Sequence, residues 1–481
     1  MIPVYQLVKE VELLELDPME VYNALGSSFS YILQSAEGGE KIARYSFIGL
    51  NPVLYLKIQD NRLSCKKSDK NLNAIKTKSK DPLNALREVM QEFDFKGNPG
   101  LRFVGGLVGY LAYDTVRHYV RFSRVSSFHG FSENRKQKTE NRLKEPDCEF
   151  VLARNNIIFD HVQNKTFVTE NYFNASNASM HARNLDKLVE KLLDVEIKPV
   201  KQASKLKEMK FTSNLSQSEY EKMVSNAIEY IKAGDIFQVV LSQRLSAECS
   251  ENPLEVYRRL KKINPSPYMY YLDFDGRKIV GSSPEMLARV EGRNVVTYPI
   301  AGTRSRGKTV REDKKLEEEM LADEKEKAEH IMLVDLGRND IGRIAEHGTV
   351  KVKKFMTVEK YSHVQHLVSE VSGKLQKNKD CFDALQSIFP AGTVSGAPKV
   401  RAMEIIDELE PSKRGIYAGC IGYFSFNGNM DTAITIRTLV FEGNKVHAQA
   451  GAGIVADSKP EYEFKETLKK AGALLKALTA E

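Results

Sequence analysis

The 481 residues are 42% hydrophobic and 28% charged, enough apolar mass for more than one core and too well mixed for a disordered or fibrous chain. The formal net charge of +7, from 71 basic and 64 acidic residues, comes with no long basic run, which argues against nucleic acid and suits a small acidic ligand. Five cysteines without a CxxC pair exclude a zinc ribbon and a disulfide framework, and no apolar run reaches membrane-spanning length, so a cytoplasmic protein with no membrane partner is expected.

Residues 1–195 read as an N-terminal α+β region in which β-rich runs (RYSFIG, VLYLKI, FVGGLVGYLAY, NNIIFD) alternate with helices such as DPLNALREVMQEFD. The polar stretch 121–145 is expected to be a loop, and 196–215 a linker into a C-terminal region, 216–481. That region opens on Ser216, with Glu219 in capping-box spacing, which predicts a helix over 217–233 ending at Gly234. Pro299–Gly307 (PIAGTRSRG) carries no regular run and is expected to be a connecting loop, whereas MDTAITIRTLVFE reads as one strand holding Arg437. Strands and helices do not alternate regularly, so the fold class is expected to be α+β with a large, mostly antiparallel sheet.

Two helices carry carboxylate stripes. DEKEKAEHIMLVDLGRND sets Glu326 and Glu329 about a turn apart, and PEYEFKETLKKAGALLKAL sets Glu463, Glu466 and Lys470 beside an apolar face of Phe464, Leu468, Ala471, Leu475 and Leu478. Each stripe alone is equally a solvated, salt-bridged face. Three tempting motifs fail. AGAGIV lacks the third glycine and the βαβ setting of a dinucleotide fold, GTVSGAPK lacks the Lys-Ser/Thr pair of a phosphate loop, and no HExxH is present. Carboxylates without soft ligands suit Mg²⁺, while arginine and glycine-loop amides suit a carboxylate-bearing ligand.

From GDIFQVVLSQR (234–244) through NPSPYMYYL, GSSPEML, PIAGTRSRG, YSHVQHLVSEVSG, FPAGTVSGAPKVRAMEII, GIYAGCIGYF and TAITIRTLV to GAGIVADSKPEYEFKETLKKA, the chain resembles the chorismate-utilising enzymes, most nearly the component I branch of anthranilate synthase. The N-terminal SYILQSAEGGEKIARYSFIG and GGLVGYLAYDTVR share the likeness. The resemblance implies sheets packed face to face with helices outside. It also implies conversion of chorismate and ammonia to anthranilate, and a glutamine amidotransferase subunit that supplies the ammonia in a heterodimer or heterotetramer. Mg²⁺ would be held by Glu329 and Glu466 with support from Glu326 and Glu463. Glu285 would be the general acid, with His366 and Thr393 lining the reacting centre. Gly302, Thr303, Tyr417, Arg437, Gly451, Ala452, Gly453 and Lys470 would bind the two carboxylates.

Where water-using relatives carry a basic lysine this chain has Gln238, and where the para-aminobenzoate branch carries a nucleophilic lysine it has Ala301; neither can do that chemistry. Aminodeoxychorismate synthase and a non-catalytic regulator are the alternatives. A tryptophan inhibitor site is expected at Ser35, Pro267, Tyr268 and Met269, although Gln34 replaces the glutamate of the family's LLES motif.

Overall fold

The computed structural model describes residues 1–12, 16–36, 44–98, 100–122, 145–195, 209–361 and 364–479. The predicted loop falls largely outside these residues, as does residues 196–208 of the predicted linker.

Strand alternation sorts side chains to opposite faces. In YILQ, Tyr31 packs with Phe47, Tyr110, Tyr270 and Tyr423, whereas the next residue, Ile32, packs with Ile48, Tyr271, Phe441 and helical Met19, Tyr257 and Leu474. Two sheets result. The first runs through β1 (Ile2–Val11), β8 (Lys165–Tyr172), β7 (Cys148–Asp160), β3 (Tyr45–Gln59), β2 (Tyr31–Gln34), β11 (Tyr268–Asp273), β12 (Arg277–Ser283), β21 (Thr438–Glu442), β22 (Lys445–Ile454) and β10 (Gln238–Glu248). Short strands β9 (Thr212–Ser213) and β18 (Gly396–Ala397) flank β10. The second runs from β4 (Arg62–Lys67) through β3, β7, β6 (Gly106–Leu111), β19 (Cys420–Ser425), β20 (Met430–Ile434), β13 (Met286–Glu291) and β14 (Asn294–Thr297) to β17 (Val364–Lys374). Strand β15 (Ile300–Ser305) shares an edge of β17 with β14, and β16 (Lys351–Lys360) takes the other. Among the described residues every pairing is antiparallel except that of β1 with β5 (Phe93–Phe95).

β3 and β7 belong to both sheets. Phe47–Gly49 of β3 face β2 while Leu54–Gln59 face β4, and the register with β7 shifts between Pro52 and Leu54. This two-strand ribbon passes from one sheet into the other, with the aromatic cluster around Tyr31 and Tyr423 filling the space between. Helices α1 (Pro18–Leu25), α3 (Ala178–Leu193), α5 (Pro253–Ile263) and α10 (Pro460–Thr479) cover the outer face of the first sheet. Helices α2 (Pro82–Gln91), α4 (Gln217–Lys232), α7 (Glu324–Gly342), α8 (Cys381–Ile388) and α9 (Lys399–Leu409) pack into the other outer core, and α6 (Val310–Ala322) lies against β15. The face-to-face arrangement with outer helices is the one expected.

The capping box at Ser216–Glu219 forms with both of its hydrogen bonds. Three local expectations change. PIAGTRSRG is not a loop: Ile300–Ser305 is a strand of the β17 ladder, interrupted by a bulge that frees Gly302, at φ 63°, and Thr303. MDTAITIRTLVFE is two strands in different sheets, and Arg437 sits at the crossing with φ 51°. On α10 the buried stripe is Thr467, Ala471, Leu474 and Leu478, while Leu468 is 38% exposed. Thr467 can be buried because its hydroxyl accepts a hydrogen bond from Gln243 Nε2 at 2.6 Å.

Candidate functional site

Strands β10, β22, β15 and β17, helices α7 and α10, and the 392–394 turn pack into one neighbourhood. Asp323 caps α7, accepting from the backbone N–H groups of Lys325 and Glu326 at 3.1 and 3.3 Å. From that turn Glu326 lies over Gly302, where an added Cβ would sit 3.2 Å from its Oε2. Arg304 clamps the pair, donating to Glu326 at 3.0 Å and to Asp323 at 2.9 Å. Sequence reading left Arg304 without a role; no local spacing links it to a helix that starts beyond residue 320.

One helical turn on, Glu329 accepts from Gln238 Nε2 at 3.3 Å. Gln238 also lies close to Gly453, where any Cβ would come within 2.7 Å of the amide nitrogen. Lys470 donates to the Gly451 carbonyl at 3.2 Å and stands 3.7 Å from Glu466. Burial lowers the Lys470 pKa, and Glu466, Glu463 and Glu329 all oppose that drop, so the three carboxylates are within electrostatic reach of one ammonium. Glu463 accepts from the Ser458 hydroxyl at 2.7 Å, and burial raises its pKa.

Tyr417 approaches Gly451 so closely that a Cβ there would lie 2.7 Å from its hydroxyl, and burial pushes the phenol up to about 12. Arg437 makes no side-chain hydrogen bond among the described residues; burial lowers its pKa, and Tyr417 and Glu466 are its opposing charges. A half-buried guanidinium beside a phenol, an ammonium and glycine amides has the chemistry to receive a carboxylate.

Glu285 is buried, and burial pushes its carboxyl up to about 8; the Thr393 hydroxyl donates to it at 2.8 Å. At neutral pH this acid holds a proton. His366 Nδ1 lies 2.8 Å from the Gly302 carbonyl and 3.2 Å from the Thr303 hydroxyl. A carbonyl only accepts, so Nδ1 carries the hydrogen and Nε2 the lone pair. Burial lowers the His366 pKa and keeps the ring neutral. A protonated acid and a neutral imidazole base are thus attached to the same cluster.

The carboxylates expected to hold a metal do not form a ready-made cage. Among the described residues no three His, Cys, Asp or Glu side chains converge as a metal site. Magnesium needs only one or two carboxylates, completed by ligand oxygens and water. Glu329 and Glu466 fit that pattern, with Glu326 engaged by Arg304 and Glu463 by Ser458.

A separate, half-open pocket lies between the sheets and gathers Ser35, Pro267, Tyr268 and Met269. Its other wall brings Arg102, Tyr423 and Asp431, which sequence reading missed because they come from distant strands and a loop. Ser35 Oγ donates to the Pro267 carbonyl at 2.7 Å; Asp431 accepts from the Tyr268 hydroxyl at 3.0 Å and from Arg289 at 2.8 Å. Gln34 hydrogen-bonds with Tyr257 at 3.2 Å and Asp17 at 3.4 Å. A glutamate there would set a second carboxylate against Asp17, whereas the amide donates to it.

Among the described residues no helix is long and apolar enough to cross a membrane. Residues 30–476 match the family described as chorismate binding enzyme. The chain is 48% identical over 462 residues to anthranilate synthase component 1 of Acetivibrio thermocellus, covering 94% of this chain and 90% of that one. It is 46% identical to the protein of the same name from Aquifex aeolicus, covering 99% and 94%. The crystal structure of anthranilate synthase component I from Streptococcus pneumoniae TIGR4 matches with a TM-score of 0.76 at 37% identity, over 95% of this chain and 97% of that one. MenF, the menaquinone-specific isochorismate synthase from Escherichia coli, matches with a TM-score of 0.73 at 20% identity over 99% and 94%, a likeness of fold alone.

Proposed function

Because the chain belongs to the chorismate binding enzyme family, we propose that it is the ammonia-using component of an anthranilate synthase, converting chorismate and ammonia to anthranilate, pyruvate and water. The observation that carries this reading is the near-full-length identity to anthranilate synthase component 1 proteins. Arg437, Lys470, Tyr417, Thr303 and the amides around Gly302 and Gly451–Gly453 bind and orient the two carboxylates of chorismate. Ammonia forms a bond to ring carbon 2 as the carbon 4–oxygen bond breaks; the Glu285 proton goes to the departing hydroxyl, which leaves as water, and the ammonium so formed gives up a proton to solvent. Thr393 holds the Glu285 carboxyl for that transfer. In the second half the ring carbon 3–oxygen bond breaks as a proton leaves ring carbon 2, with His366 Nε2 as its acceptor; aromatisation drives off enolpyruvate, which takes up a proton at its methylene carbon to become pyruvate.

Glu329 and Glu466 would hold Mg²⁺, supported by Glu326 and Glu463. When bound, the ion supplies positive charge for the ring carboxylate. Gln238 faces Glu329 where a water-activating base would stand, which supports ammonia over water as nucleophile. A glutamine amidotransferase subunit delivers the ammonia, and tryptophan in the inter-sheet cavity acts as inhibitor.

The purified chain is incubated with chorismate, Mg²⁺ and ammonium, and the products are separated. Anthranilate is the expected product without any partner, and with glutamine as nitrogen source only when the partner is added. Para-aminobenzoate, isochorismate or no turnover overturns the reading.

A further inference from the structure

Arg414 lies outside every motif used above, at the end of the turn after α9, and its side chain is only 1% exposed. Its guanidinium donates to both carboxylate oxygens of Glu410 at 2.9 and 2.7 Å, to the Val394 carbonyl at 2.7 Å and to the Val240 carbonyl at 2.7 Å. Its carbon lies 5.5 Å from the centre of the Tyr417 ring and 4.7 Å from that of Tyr113. Glu410 in turn accepts from the Ser242 N–H and hydroxyl, each at 2.8 Å. Ser242 is the cross-strand partner of Gly451. One planar, permanently charged group therefore touches the turn carrying Thr393, the strand leading from Gln238, and the Tyr417 ring.

We propose that Arg414 is a positioning residue for the chorismate site, its guanidinium locking the Gly392–Val394 turn and the Tyr417 ring in the arrangement that receives the substrate. The inference rests on the reading of Tyr417 and Thr393 as substrate-site residues. A lysine cannot replace it, because one ammonium does not reach two carbonyls and a bidentate carboxylate in a plane.

Removing one member of a buried ion pair leaves an uncompensated charge, so Arg414→Met alone tests folding rather than positioning. The informative variant is Arg414→Met with Glu410→Met, which removes both charges and keeps an apolar filling of similar volume. With this variant soluble and cooperatively melting, its KM for chorismate rises ~10-fold or more, beyond any change in kcat. Tyr417→Phe then adds little in that background, although it impairs the native protein, because the ring has already lost its support. Arg414→Lys shows the same KM defect. Hydrogen exchange reads the claim without turnover: the amides of Val394 and Ser395 exchange faster in the paired variant, while those of Leu107–Leu111 keep native protection. Native KM in the folded paired variant, or native exchange in the turn, overturns the proposal. A wild-type chain that does not turn over chorismate overturns the functional reading instead, and the exchange data still decide whether Arg414 holds the turn.

Discussion

Glu285 shows how burial holds a proton on a carboxyl group at neutral pH. Its carboxyl, raised to about 8 by desolvation, stays protonated through neutrality. If it protonates the departing hydroxyl, kcat/KM in saturating ammonia falls as pH rises through about 8. Glu285→Gln removes that limb and lowers kcat by ~10²–10⁴; retention of the limb in the variant would assign it elsewhere. The same shift has a stability consequence. In the unfolded chain the acid ionises in the ordinary carboxylate range, so its contribution is fully present below that range and is lost as pH rises toward 8. Urea midpoints of the ligand-free protein over that window are therefore expected to fall with pH more steeply for the native chain than for Glu285→Gln. The role proposed for Glu285 rests, in the sequence, on the GSSPE resemblance alone. Its partner Thr393, 108 positions away, leaves no local trace of the 2.8 Å bond between them.

At the scale of elements, strands with clean two-residue alternation, such as VVLSQRLS and KVHAQAGAGIV, were legible because each buries opposite faces in different surroundings. The bulged and broken ones were not. β15 looked like a loop because Gly302 and Thr303 leave the ladder, and that departure presents them beside Glu326 and His366. The Thr435–Arg437 break looked like strand because β-branched residues favour extended backbone on either side of a sheet crossing. Gly302 makes the bulge testable. Its φ of 63° and a Cβ position 3.2 Å from the Glu326 carboxylate oppose any side chain. Gly302→Ala is expected to cost roughly 1–2 kcal/mol of stability, read by denaturant unfolding. It should also raise KM for chorismate, since Glu326 and His366 move with the bulge. An unchanged KM would separate the bulge from the site.

At the scale of the molecule, the cavity between the sheets is built from both halves of the chain, so a ligand there binds the packing of one sheet on the other. Tryptophan is expected to raise the melting temperature, as any ligand specific to the native state does. The chain contains no tryptophan, so the ligand's own indole emission reports binding against a dark background. Ser35→Arg, which crowds the cavity and loses the bond to Pro267, should weaken binding roughly tenfold or more, about 1.4 kcal/mol; unaltered affinity would move the inhibitor elsewhere. Neither half is a self-sufficient sheet either. β2 needs β11 and β6 needs β19, so a fragment of residues 1–215 is expected to aggregate through open strand edges. A soluble, cooperatively melting fragment would contradict that dependence.

The ribbon of β3 and β7, shared by the two sheets, bears on how the chain emerges from the ribosome. Both strands are made early, yet the first sheet stays incomplete until β22 has appeared, and β6 has no neighbour on its outer edge until residues 420–425 are synthesised. At roughly 5–20 residues per second, the growing chain carries an unpaired apolar edge for tens of seconds. Native closure is thus a late, nearly post-translational event.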